Sequence, residues 1–265
     1  MRSRVLISIL LPLLVISGCD SADVSEWAAP EIRVTLVDPI PTGTVEKSSA
    51  LLRVELLVRS LGGRDFSPEA VTVDNNSTSE VVFEVSIPPD SLYTFNVRFT
   101  SEEALVAEGE TMQEVTLETT VIDIAVLETS TTVPSIAFLP SEIRTSTGGG
   151  TIDVTVRLYG AGRPAAGVAA LFDITGPTAR PFVLEGSEGS DNDLKINFVE
   201  GGRLNAAWQF AQEVQGVKDI GVLRIQRNQT ANYCIEADGD NIRIVDRDGA
   251  ITLARLMGAC VTVTP

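Results

Sequence analysis

The feature that most constrains this chain is a period-two alternation of apolar and polar side chains, broken at short intervals by turn residues. Val81, Phe83, Val85 and Ile87 share one face of an extended segment, with Glu80, Glu84 and Ser86 on the other. Tyr93, Phe95, Val97 and Phe99 then alternate with Thr94, Asn96 and Arg98. Successive side chains of a strand point to opposite faces, so this pattern is that of half-buried strands, not of helices. Pro88-Pro89-Asp90-Ser91 separates the two segments, because proline cannot continue a ladder and Asp and Ser favour tight turns.

The same grammar runs through the rest of the chain. Ile32 to Leu36 and Leu51 to Val58 read as strands, Val115 to Leu127 as one or two more, and Ser101 to Leu105 as a helical turn. After Glu128 a threonine-rich stretch closed by Pro134 interrupts the periodicity. Further on, strands are expected at 151–158, 168–174, 194–198, 204–210, 220–225, 233–236, 242–244 and 260–263. Short strands between regular turn signals predict an all-β chain of two tandem antiparallel β-sandwich domains. The first is expected over 31–127 and the second, of jelly-roll size, over 135–265, with 128–134 a linker brief enough to allow tilt but not independent roaming.

The N-terminal end has a different character. Arg2 and Arg4 precede an apolar run from Val5 to Ile16, too short to span a bilayer comfortably, followed by Ser17-Gly18-Cys19-Asp20. This layout resembles the bacterial lipoprotein signal, in which an aliphatic residue and two small residues precede a cysteine. The resemblance implies a cleaved leader over 1–18, lipid on Cys19 and a lipid-anchored place in the bacterial cell envelope. The plainer reading is a secreted leader that happens to contain a cysteine. Residues 19–30 are polar and acidic and read as a tether. No later segment is long and apolar enough to cross a membrane as a helix.

Two further resemblances lie in the body of the chain. Pro89 to Phe99 resembles the corner of a fibronectin type III or immunoglobulin-like domain, where a tyrosine after a Pro-x-Ser/Thr turn opens an alternating strand. Over 135–264 the order of features resembles a cohesin domain, a sandwich related to some carbohydrate-binding modules. The segments that carry it are Thr151 to Leu158, Gly167 to Ile174, Leu204 to Trp208, Gly221 to Ile225, Asp246 to Gly249 and Cys260 to Val263. The chain departs from that family in its cysteine pair and in lacking an aspartate-proline after the second strand. Cohesins bind dockerin modules by contact between proteins, without chemistry. The resemblance therefore implies a non-catalytic recognition or adhesion module, and no binding residue is carried over from it. The same strand pattern also suits another bacterial immunoglobulin-like domain.

Composition narrows the chemistry. The net charge is −16 and becomes more negative once Arg2 and Arg4 leave with the leader, so nucleic acid is not an expected partner. The absence of histidine removes Ser–His and Cys–His catalysis and the commonest zinc ligand. With Cys19 committed to lipid in an exported chain, Cys234 and Cys260 are expected to form a disulfide, the alternative being two buried thiols in neighbouring strands. Asp238, Asp240, Asp246 and Asp248 cluster in turns that could hold a structural calcium, although Asp/Gly turns between strands account for them equally. No other cofactor is expected. Trp208, Phe210 and Tyr233 could stack on a sugar, but the apolar pattern around Trp208 and Phe210 favours core burial. The expected partners are the membrane, through lipid on Cys19, and an envelope or extracellular protein or a polysaccharide. An enzyme acting through paired carboxylates is the least favoured reading.

Overall fold

The computed structural model describes residues 27–36, 51–74, 80–101, 104–129, 133–160, 164–176, 182–186, 193–199 and 203–265. The leader, Cys19 and most of the tether lie outside the described residues. All regular elements among them are strands. In the first half these are β1 (Glu31–Leu36), β2 (Leu51–Ser60), β3 (Val71–Asp74), β4 (Glu80–Glu84), β5 (Ser91–Ser101), β6 (Ala104–Val115) and β7 (Val121–Glu128). The second half begins with β8 (Ser135–Leu139), β9 (Glu142–Ser146), β10 (Thr151–Tyr159), β11 (Ala165–Thr175), β12 (Phe182–Gly186) and β13 (Asp193–Val199). It ends with β14 (Arg203–Val214), β15 (Val217–Gln226), β16 (Ala231–Val245), β17 (Ile251–Leu253), β18 (Arg255–Met257) and β19 (Ala259–Thr264).

The first half packs the layer β4–β1–β7 against the layer β3–β2–β5–β6. Their alternating inward residues, among them Ile32, Val54, Leu56, Phe95, Val97, Ile122 and Ile124, form one apolar core. The Pro88–Ser91 turn precedes β5 as expected, and Tyr93 Oη donates to the Pro88 carbonyl at 2.7 Å. A buried tyrosine tied to backbone a few residues upstream is the bond of a tyrosine corner, which pins the turn to the strand it opens. The second half packs β12–β15–β10–β8–β18 against β13–β14–β11–β16–β19–β9. Its core includes Phe138, Val154, Phe172, Trp208, Leu223, Tyr233 and Val261, with Leu92 and Met112 contributed by the first half.

One expectation is corrected and another is narrowed. Ser101 to Leu105 is not a helical turn: β5 runs to Ser101 and β6 starts at Ala104, with the two paired antiparallel. Val115 ends β6, so the expected stretch up to Leu127 holds one strand of its own, β7. The strand that sequence missed, β6, is covered on both faces, so its residues do not alternate between core and water. Ala107 and Val115 face the first core, whereas Met112 faces the second. At Gly109 the Ala125 carbonyl of β7 comes so close that a Cβ would sit 2.1 Å from it, which only glycine tolerates.

β6 also joins the halves. β9 pairs in parallel with β6 (Thr111↔Glu142, Met112↔Ile143, Gln113↔Arg144) and, along its other edge, in parallel with β19. One sheet therefore runs from β13 through β9 to β3, across both halves. Backbone bonds from Ser141 N to Glu110 O and from Cys260 N to Ser141 O, 2.8 and 2.9 Å, reinforce the splice. A brief linker alone would leave the halves free to tilt; pairing along both edges of β9 opposes that motion.

Candidate protein-binding face

The second half has two outward sheet faces of unlike chemistry. On β10 and β15, Asp153 lies opposite Arg224 and Arg157 opposite Asp219. Arg224 reaches Asp153 at 3.0 Å and Glu185 of β12 at 3.2 Å, and Arg157 reaches Asp219 at 2.6 Å. Opposite charges across an antiparallel pair satisfy one another and suit a solvated surface.

One end of this ion-paired face is covered by the first half. Glu108 of β6, with a side chain 1% exposed, accepts from Arg157 Nη1 at 2.6 Å and from the Tyr159 hydroxyl. Arg98 of β5 stands 3.6 Å from its other oxygen. Burial pushes the Tyr159 phenol pKa well above its usual value, and the Glu108 charge adds to this, so the phenol stays protonated and donates. For Arg157 burial works against the charge, but the bonds to Asp219 and Glu108 outweigh it and hold the guanidinium more firmly protonated than usual. Leu105, Leu127, Ala137, Leu139, Tyr159 and Met257 pack beside this cluster and exclude water from the seam. Next to it, Asn96 Nδ2 donates to Glu110 at 2.8 Å, and burial raises the Glu110 carboxyl above its ordinary range.

The opposite face, on β14, β11, β16 and β17, is open. Strict alternation along β14 sends Leu204, Ala206, Trp208 and Phe210 into the core and Asn205, Ala207 and Gln209 outward. Register aligns Ala207 with Ala169 of β11 and Arg243 of β16, which lies opposite Leu253 of β17. A second row runs Gln209, Gly167, Val245, Ile251. Ile251 and Leu253 are 60% and 51% exposed. The Arg203–Asp173 pair, at 3.2 Å, closes one rim. Across β14, β11, β16 and β17 these two rows carry one charged residue, Arg243, and β13 continues them with Lys195 opposite Ala207 and Asp193 opposite Gln209. In a chain of net charge −16, a flat patch of small, amide and exposed aliphatic side chains is an unusual use of surface.

The residues singled out from sequence fall as follows. Cys234 and Cys260 are opposite one another on β16 and β19 and form the expected disulfide. Asp246 and Asp248 sit in the turn after β16, where Ala250 N donates to the Asp246 carboxylate at 2.8 Å and Gly249 takes a φ of +79°. Asp238 and Asp240 lie where β16 bulges away from β11: Ala170 pairs with Ile242 but Phe172 with Ala237. Their side chains are outside the described ones. Among the described residues, no three of His, Cys, Asp and Glu come together as a metal site. Trp208, Phe210 and Tyr233 are all core residues, none more than 6% exposed. Trp208 packs edge-on to Phe172, and its indole N–H has no hydrogen-bond partner among the described residues. None of the three rings presents a face to a sugar. Sequence reading did not find the Glu108–Arg157–Tyr159 cluster or the open face. Alternation places Ala169 and Ala207 away from the core, but only the register shows that they lie side by side.

No protein-family model matches the chain, and no characterised protein is significantly similar to it in sequence. Solved structures that the chain matches in part include a cohesin module from a Clostridium perfringens family 33 glycoside hydrolase, 15% identical, covering 50% of this chain and 98% of that one with a TM-score of 0.41. A non-cellulosomal cohesin from Archaeoglobus fulgidus is 16% identical and covers 50% of this chain and 92% of that one, with a TM-score of 0.35. The Corynebacterium diphtheriae major pilin is 10% identical and covers 78% of this chain and 61% of that one, with a TM-score of 0.22.

Proposed function

We propose that this chain is a non-catalytic envelope protein, exported and held by lipid on Cys19, whose second sandwich recognises another protein through the open face of β14, β11, β16 and β17. The observation that carries this reading is the contrast in charge between its two sheet faces. One is ion-paired and partly covered by the first sandwich, while the centre of the other, between the charged residues of β13 and the Arg203–Asp173 rim, carries Arg243 alone among small, amide and aliphatic residues and exposes Ile251 and Leu253. Depletion of charge at the centre of a patch, with a polar rim, is what distinguishes a recognition surface from ordinary surface. The first sandwich, spliced to the second, acts as a stiff spacer between membrane and face.

The test is affinity capture from envelope and secreted fractions, with wild-type protein and an Ala207→Arg variant as paired baits and a polysaccharide array alongside. A protein captured by the first bait and lost from the second supports the reading. Retention on polysaccharide with no protein captured would overturn it. The anchor is tested separately: Cys19→Ser should release the protein from membranes, and undiminished membrane attachment would reject lipidation.

A further inference from the structure

We propose that the tether end of the first sandwich rests on a bilayer of zwitterionic phospholipid, with Trp27, Leu61 and Leu117 seated among the headgroups. The proposal rests on the reading of Cys19 as the lipid anchor. Trp27 is eight residues beyond Cys19, and eight extended residues reach at most ~29 Å. Strand pairing gathers the three side chains at one end. Ala28 bridges to Ile87 just before the Pro88–Ser91 turn, Ser60 pairs with Tyr93 just after it, and Ser91 pairs with Val115. Leu61, which follows β2, and Leu117, in the turn between β6 and β7, therefore lie at the same end as Trp27. The opposite end of this sandwich stands the length of the 11-residue β5 away.

Each of the three side chains is about half exposed or more. Trp27 packs edge-on against Phe66 with ring centroids 6.3 Å apart, and Phe66 packs in turn on Tyr93 at 5.7 Å. The indole is thus held in place with about half its surface open, and an amphipathic ring of this kind is favoured at the headgroup level of a membrane. At the same end a cleft of about 500 Å³ opens between the two halves, lined by Leu61, Arg64, Phe66, Asp90 and Glu114 of the first and Arg227 of the second. Both signs of charge line it, which suits the phosphate and the ammonium of a zwitterionic headgroup. Asp90 and Glu118 are exposed here and the chain is acidic as a whole, so a strongly anionic surface repels this end and a neutral one does not. The open face of β14, β11, β16 and β17 lies along the strands and not at their tips, so it stays clear of the lipid for its partner.

The test couples the wild-type chain from Cys19 to Pro265, through the Cys19 thiol, to a maleimide-bearing lipid in phosphatidylcholine vesicles. Cys234 and Cys260 are joined to each other, which leaves Cys19 for coupling. Trp27 and Trp208 are the two tryptophans of the chain and Trp208 is buried, so a change in fluorescence at the surface reports Trp27, with a Trp27→Phe variant giving the background. Lipids brominated near the top of their acyl chains should quench Trp27, and the bilayer should shift its emission to the blue and shield it from iodide in the water. Leu61→Asp combined with Leu117→Asp should lose most of that quenching without altering urea unfolding, since both positions are exposed. Trp27 left unquenched and as open to iodide as in the free protein, quenching unchanged in the double variant, or quenching that grows as phosphatidylglycerol is added would each overturn the proposal. Attachment here does not depend on natural acylation, so failure of the lipid anchor, read from Cys19→Ser release, and failure of this proposal can be told apart.

Discussion

The two outward faces of the second sandwich are made by strands of the same core and differ in what their exposed positions carry. On β10 and β15 those positions are Asp153, Arg157, Asp219 and Arg224, paired across the strands and, at Arg157, closed over by Glu108 of the first sandwich. On β14, β11 and β16 they are Asn205, Ala207, Gln209, Ala169 and Arg243. The lesson is that burying half of a strand leaves the other half free to be specialised. One face became an internal joint with a solvated remainder, the other an open patch. Substitutions on the first should therefore be read in stability, and substitutions on the second in binding.

The sharpest separation should come from Ala207→Arg. An unpaired guanidinium buried in a protein interface should weaken partner binding by about two orders of magnitude or more, while urea unfolding shifts by no more than ~0.5 kcal/mol because the position is exposed. Glu108→Ala should do the reverse. It leaves the buried Tyr159 hydroxyl without its acceptor and Arg157 with Asp219 alone, which should cost up to about 3 kcal/mol; urea titration should show it, with binding by the folded fraction unchanged. Replacing both Cys234 and Cys260 by serine should cost about 3 kcal/mol through the lost constraint on the unfolded chain. Thermal unfolding with and without reductant checks this, since reductant should lower the wild-type Tm and leave the variant's unchanged.

Glu110→Gln should give a smaller effect with a definite dependence on pH. Burial raises the Glu110 carboxyl in the folded state, so the native protein holds that proton to higher pH than the unfolded chain does. Its contribution to stability is therefore lost as pH rises from the ordinary carboxylate range through the raised folded value. The variant, which cannot ionise, should be modestly more stable than wild type at neutral pH, with the gain vanishing on acidification; a gain independent of pH would contradict the assignment. The smallest change is expected from Asp153→Ala. Its partner Arg224 also holds Glu185, and exposed pairs contribute about 0–1 kcal/mol, so both stability and binding should stay near wild type.

Legibility from sequence followed burial. Where a strand has one face in the core and one in water, as in Tyr93 to Phe99 or Leu204 to Phe210, the alternation shows both the strand and its inward set. The Pro88–Ser91 turn with Tyr93 announced its corner in the same local way. Where both faces are covered, as in β6, glutamate, glycine and methionine sit side by side and the pattern disappears. β16 shows the intermediate case: its bulge at Asp238–Asn241 splits the alternation, so a single 15-residue strand reads as two. The open face was illegible for a different reason, since neither Ala169 nor Ala207 is notable until register sets them beside each other.

What the sequence determined by itself was therefore local: strand after strand, their turns, the absence of histidine chemistry, an acidic surface, and two cysteines able to pair. These follow from the period of the backbone and from composition, which do not depend on how strands meet. The tertiary structure alone decided which strands lie side by side. Parallel pairing of β9 with both β6 and β19, the burial of Glu108 against Arg157, and the gathering of Ala207, Ala169 and Gly167 from two strands into one face are contacts between residues far apart in the chain. Such contacts are selected by the packing of two whole sheets, and no window of sequence contains both partners.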